Sequence, residues 1–397
     1  MRINIPYVLT VLVAVLLVFI GHRIAVTGIV NFQDNSQEIA HATVQRIVER
    51  FDIKIDTKNE AEDSEYFSPM QGGRLIFEAK VRNGIRKGEI ITATQSLSGF
   101  LRVAEKEVRE GDYVLLINSS DLGWYFNGFI RTNRLLGLGA LFIASVLFFG
   151  RKKGFNTILS LGLTCGAVFG VFIPSILTGK NIYVMAGLVC AYTTFMTLLI
   201  VIGFNKKSLT AAMGCISGIM VTGIITIIMD KALSLTGIVD ENSRYLANLP
   251  LETSIDLRAI VFSGIIIGAM GAIMDVSMSI SSSLWELKEK AGNITFEALF
   301  RSGLTIGRDI MGSMANTLIL AYIGTSLSVV LILSVYSDSL VSLFNMGMIT
   351  VEILQALAGS FGILLAMPLT AFFCATIYLK KNPKIYLAEN TKAQREE

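Results

Sequence analysis

The sequence predicts an α-helical polytopic membrane protein of about eight transmembrane helices, carrying a small extracytoplasmic β-rich domain that is a barrel or a sandwich. Three observations lead there. Apolar stretches long enough to cross the ~30 Å hydrocarbon core of a bilayer recur along the chain. Lysine and arginine gather on alternate loops between them. One segment, 31–131, interrupts this rhythm with β-type patterning and an acidic excess, although the whole chain is +3. At 52% hydrophobic and 16% charged residues, with a mean hydropathy of +0.60, the composition excludes an ordinary soluble enzyme.

The expected spans are 5–27, 133–150, 155–178, 181–204, 209–229, 258–284, 311–335 and 350–379. Arg151, Lys152 and Lys153 follow the second span, and Lys206 and Lys207 the fourth. Lys288, Lys290, Arg301 and Arg308 follow the sixth, and Lys380, Lys381 and Lys384 the last. The other loops are poor in base. Positive charge resists translocation, so both termini are expected in the cytoplasm and residues 31–131 outside, at a bacterial cytoplasmic membrane. The first span reads as a retained anchor, since its apolar run continues toward Val30 with no clean cleavage site. Four parts result: the anchor 1–30, the outer domain 31–131, seven spans within 132–380, and a cytoplasmic tail 381–397.

In the outer domain, His41–Val48, Arg74–Arg82, Glu89–Thr94 and Asp112–Asn118 alternate or cluster branched apolar residues, the signature of strands. Glu110-Gly111-Asp112 supplies a turn, and Lys58–Ser68 reads as a polar loop. No catalytic constellation is found there; the expected role is to dock a partner or cap the helices.

Cys165, Cys190, Cys215 and Cys374 all fall in apolar spans without ligand spacing, and His22 and His41 are the chain's two histidines. No metal, cofactor or catalytic residue is expected, nor any nucleic-acid partner. The lipid bilayer is the expected surrounding.

The sixth span carries the chemistry. Gly264, Gly268, Gly271, Asp275, Ser279 and Ser282 recur at steps of three and four, which places them on one helical face. A carboxylate in hydrocarbon costs about 3 kcal/mol or more unless it meets a partner or water. Asp275 is therefore expected to face the bundle interior, either in an ion or proton pathway or pinned in a salt bridge. Arg308 is its nearest candidate cation, and Asp309, Gly312, Ser313 and Asn316 share a face on the next span; Arg308 could equally snorkel to the interface. The last span adds Glu352, Gln355, Gly359 and Gly362, and the fifth adds Gly214 and Gly218 as close-packing positions. Pro368 and Pro174 are candidate helix breaks. Residues 294–304 read as a short amphipathic helix on the membrane surface.

Three blocks are then similar to the YibE/F family of bacterial membrane proteins: Gly268-Ala-Met-Gly-Ala-Ile-Met-Asp275, Gly307-Arg308-Asp309 with Asn316 through Tyr322, and Gly359-Ser360 through Pro368-Leu-Thr370. The resemblance extends over most of the chain, anchor and outer domain included. It implies this architecture, a related membrane protein as partner and no established catalytic residues; a homo-oligomer is the other expectation for a partner. Two functions compete. One is a transporter or permease for a small solute or ion, with Asp275, Arg308 and Asp309 as coupling site, Glu352 as a further candidate near the outer end, and Ser279, Asn316 and Gln355 along a polar path. The other is a receptor or assembly factor acting through the outer domain. A permease subunit driven by a separate ATPase is a further variant. An enzyme is not expected, since intramembrane protease motifs and a Walker sequence are both absent.

Overall fold

The computed structural model describes residues 5–27, 38–55, 70–97, 106–119, 123–249, 254–336 and 339–379. The polar stretch 58–68 and the tail from residue 380 lie outside them. The chain divides into two compact units, one of residues 1–30 and 146–397, the other of residues 31–145.

The second unit holds strands β1 (Glu38–Ile55), β2 (Met70–Val81), β3 (Ile90–Leu97), β4 (Tyr113–Ser119) and β5 (Gly123–Phe129). They close into a barrel in the order β1-β2-β3-β5-β4, a connectivity of the OB type. The closing seam is the weakest, a single parallel pair of Thr94 with Tyr125 between β3 and β5. β1 serves two neighbours, β4 along Glu38–Thr43 and β2 from Ala42 onward. Register shifts after Val44 and Ile47 mark where it bends between them. Period-two alternation sends Ala40, Ala42, Val44, Phe77, Ala79, Val114 and Leu116 inward. Gln95 is buried among them and is satisfied: its Oε1 accepts from Val108 N at 2.9 Å and its Nε2 donates to the Lys106 carbonyl at 3.1 Å. Gly111 makes the turn before β4 at φ 88°, a left-handed conformation that glycine adopts without strain. β5 is an element the patterning did not announce. The aromatic run Trp124-Tyr125-Phe126 after Gly123 was its available signal.

The first unit is helical: α1 (Ile5–Val26), α2 (Thr132–Ala167, which begins in the other unit), α3 (Ile173–Leu177), α4 (Ile182–Ile202), α5 (Lys206–Ala232), α6 (Glu241–Ala247), α7 (Leu257–Ala291), α8 (Phe296–Tyr336), α9 (Leu340–Phe344) and α10 (Gly347–Leu379). A π turn, Val168–Phe172, links α2 to α3 just ahead of Pro174. Among the described residues seven helices are long and apolar enough to cross a membrane. The count differs from eight because the second and third expected spans join as one 46-residue stretch, Thr132–Leu177. That stretch is not straight. Arg151 sits at φ 48°, ψ −123°, and a Cβ on Gly154 would strike the carbonyl of Val146. Residues eight apart in a straight helix are about 12 Å apart, so the chain doubles back at Arg151.

Two further expectations are corrected. Residues 296–304 are the first turns of α8 rather than a separate surface helix, because Leu299 and Gly303 are buried there; a Cβ at Gly303 would lie 2.6 Å from Ala371 Cβ. Pro368 does not break α10, which runs on helically past it to Leu379; the ring costs one internal hydrogen bond within an otherwise packed helix.

α5, α7 and α10 form the mutually packed centre, with α8 on α10 and α4 against α5 and α7. Glycines let them approach. A Cβ at Gly214 would collide with Thr370, and one at Gly362 with Thr222. At Gly218 it would fall 2.7 Å from Ile273 and 2.8 Å from Ala366, and at Gly359 2.8 Å from Leu318. α1 joins through polar bonds, His22 Nδ1 to the Gly170 carbonyl at 2.6 Å and Tyr192 OH donating to the Ala14 carbonyl at 3.0 Å. Asparagine or aspartate caps start α4, α5 and α7 at Asn181, Asn205 and Asp256.

Candidate functional site

α7 has two opposed stripes of small residues, and the packed one is not the one expected. Ala259, Ser263, Ile266, Ile273, Ser277, Ser281 and Leu284 are buried. Gly264, Gly268, Gly271 and Asp275 lie on the far side and are exposed, with Ser279 half-buried beside them. The inward orientation expected for Asp275 is thus corrected: isoleucine and leucine interleave the Ser263–Ser281 stripe and bury more apolar area than the glycine stripe can.

The glycine stripe is open at two positions and contacted at the third. Among the described residues nothing lies within 4 Å of where a Cβ would sit on Gly264 or Gly271. At Gly268 that point is 2.8 Å from Tyr322 OH of α8 and 3.8 Å from Gln355 Nε2 of α10. The Tyr322 hydroxyl is buried with no hydrogen-bond partner among the described residues. Buried hydroxyls nearly always have one, and the Gln355 amide of α10 stands close enough to interact with it. Glu352, one turn before Gln355 on α10, is half-buried. Asp275 makes no hydrogen bond or ion pair with described residues. It lies about 15 Å along α7 from Trp285 and about 27 Å from Leu257.

Arg308 does not reach Asp275. Arg308, Asp309 and Asn316 are exposed on α8, and no ion pair within 4.0 Å among the described residues contains either of the two charges. A coupled Asp275–Arg308 pair is therefore not formed.

A polar cluster that sequence reasoning missed closes the other end of the core. Thr210 of α5, Ser281 of α7 and Tyr378 of α10 form a ring of hydroxyls, with Thr210–Ser281 at 2.7 Å, Thr210–Tyr378 at 2.8 Å and Ser281–Tyr378 at 2.7 Å. All three residues are fully buried. Ser281 Oγ also lies 2.8 Å from the Lys207 carbonyl. Trp285 stacks edge-on against Tyr378 at 4.9 Å, and Lys207 and Lys288 sit over its indole at 5.8 and 6.0 Å. The residue Tyr378 gave no periodic signal, and Ser281 looked equivalent to Ser279 and Ser282.

Near the Leu257 end a cavity of about 410 Å³ is lined by Tyr183, Asp230, Lys231, Asp256 and Arg258, among others. It is polar at its rim and apolar at Phe262 and Leu354. No group of three or more potential metal-ligating side chains is found among the described residues.

The sequence model of the family described as YibE/F-like protein matches residues 138–380. The chain belongs to that family. The matched region holds the glycine face of α7, the hydroxyl ring and the cavity, and leaves out α1 and the barrel, so it is narrower than the resemblance suggested. No curated protein and no solved structure matches the chain.

Proposed function

We propose that this YibE/F-like chain is a permease of a bacterial cytoplasmic membrane that moves a small solute or ion along the glycine face of α7. The observation that carries the reading is Asp275: a carboxylate with no hydrogen bond or ion pair among the described residues, in mid-helix, on a face left open by glycines. In hydrocarbon such a group costs about 3 kcal/mol or more, so water or a bound cation has to reach it. Gly271, Gly268, the Tyr322 hydroxyl, Gln355 and Glu352 continue the polar path from Asp275 toward the opposite end. Glycine walls leave space, and Tyr322 and Gln355 offer hydrogen bonds in place of hydration.

The distribution of lysine and arginine supports cytoplasmic termini with the barrel outside. Trp285, flanked by Lys207 and Lys288, marks the inner interface in this orientation. The reversal at Arg151 supports eight crossings, since Thr132–Leu177 is about 69 Å of helix, more than twice a ~30 Å core.

Purified full-length chain in liposomes, under imposed proton, sodium or potassium gradients, tests this. Wild type is expected to conduct, and Asp275→Asn to lose flux while its unfolding transition stays put. A wild-type flux indifferent to Asp275→Asn would reject the coupling role. A receptor or assembly role through the barrel is the second reading; Ile39, Ile85, Ile90 and Tyr113 are apolar residues exposed on it, and charged substitutions there would abolish function while leaving flux intact.

A further inference from the structure

We propose that the outward face of α8 is the interface with a second copy of this chain, related by a twofold axis along the membrane normal. This goes beyond transport and rests only on the helices spanning a bilayer. α8 packs one stripe inward: Leu299, Gly303, Gly307 and Leu318 are buried, with Gly303 against Ala371 and Leu284, and Gly307 against Met367. At 100° per residue, Arg308, Gly312 and Asn316 lie on the far side with Asp309 beside them. All four are exposed, and nothing stands within 4 Å of a Cβ placed on Gly312.

Depth decides what this face needs. A Cβ at Gly303 would lie 2.9 Å from Leu284 Cδ1, which levels Gly303 with the Trp285 turn at the interface. Arg308 and Asp309 are then about 7–9 Å deeper, and Asn316 about 20 Å deeper. The hydroxyls of this stretch bond to their own helix, Ser313 to the Ile310 carbonyl at 3.0 Å and Thr317 to the Ser313 carbonyl at 2.8 Å. Arg308, Asp309 and Asn316 have no hydrogen bond or ion pair with described residues. Lipid tails can give them none; Arg308 is long enough to bend back toward the interface, which would leave Asp309 and Asn316 unanswered.

A second copy can. Across a twofold axis along the normal, groups at equal depth meet reciprocally. Arg308 and Asp309 are adjacent, so each copy's arginine faces the other copy's aspartate. Asn316 faces Asn316, and an amide both donates and accepts. Gly312 between them removes the side chain that would hold the helices apart. An acidic, basic or apolar partner would satisfy at most part of this set; the face is complementary to itself.

The test is the mass of the full chain in lipid nanodiscs and the cross-linking of Gly312→Cys in a Cys165→Ser background, Cys165 being the exposed native thiol. The expected result is twice the 43.3 kDa chain mass and a Gly312→Cys disulfide, with Gly264→Cys on α7 not cross-linking. Arg308→Asp should raise the dimer dissociation constant at least tenfold, and Arg308→Asp with Asp309→Arg should restore it. Asn316→Leu should raise it about fivefold. A monomer at every protein-to-lipid ratio, with or without bound anionic lipid, would overturn the proposal. So would a dimer that neither cross-links at position 312 nor responds to the charge exchange.

Discussion

Gly214, Gly218 and Gly362 stand where α5 and α10 press together, whereas Gly264 and Gly271 on α7 face open space. Both sets recur at helical spacing, and in the sequence they read as the same motif. The difference lies in the neighbours. α5 and α10 present Thr222, Thr370 and Ala366 to each other's glycines, so each missing side chain is filled by a partner atom. Opposite Gly264 and Gly271 the described residues place nothing within 4 Å. A small-residue stripe therefore permits close approach without guaranteeing it, and the open version is the one that carries Asp275.

The comparison breaks or sharpens under substitution. Gly218→Leu should have the largest effect, since Ile273 and Ala366 on either side have no space to yield; a loss of at least about 3 kcal/mol, read as a collapsed yield of monodisperse protein, is expected. Normal thermal unfolding of that variant would mean the seam is looser than its distances. Tyr378→Phe, at the end of the same seam, should cost about 1 kcal/mol by leaving two buried hydroxyls to share fewer partners, visible as a lowered unfolding midpoint.

A helix with no buried face supplies the contrast to the seam. α6 buries no residue and depends on Asp240, whose carboxylate accepts from Ser243 Oγ at 2.5 Å and Ser243 N at 2.8 Å. Asp240→Ala should cost about 1 kcal/mol locally, measured as faster amide exchange confined to 241–247. The same bonds, led by the Ser243 hydroxyl, hold the Asp240 carboxyl below its ordinary value. The cap is then complete above the free-chain pKa and lost as pH falls through the folded one, so α6 exchange should accelerate in acid before the core changes. Gly271→Leu should be the mildest for stability, within about 0.5 kcal/mol of wild type, yet should block flux. If it unfolds the protein as Gly218→Leu does, the open face is a packing face after all.

Periodicity exposed the long helices and four of the five strands because each has a repeating apolar pattern, and it missed the short helices α6 and α9. It could not say which of two stripes on α7 would be buried. Gly264, Gly268 and Gly271 look like a contact surface, but the contest is settled by the isoleucines around Ser263 and Ser277 and by what α5 and α10 offer them. Arg308 was legible as a charge near the inner end, but not which way it points, since that follows from Gly303 and Gly307 taking the inner side of α8. The doubling back at Arg151 was placed between two spans by its charges, although the helical dihedrals on either side run nearly up to the bend. The hydroxyl ring was illegible because its members lie 71, 97 and 168 positions apart and each alone is unremarkable.

That ring also constrains how the sequence can drift. Each hydroxyl also reaches a backbone carbonyl, Thr210 that of Lys206, Ser281 that of Lys207 and Tyr378 that of Ser281, so losing any one weakens the set by removing a shared partner, while exchanging all three for apolar groups of matching volume is nearly neutral. Positions 210, 281 and 378 should therefore change together among relatives or hold together, with lone replacements rare. A collection of family sequences in which they vary independently would mean that something other than this ring, such as a trapped water, satisfies that end of the bundle.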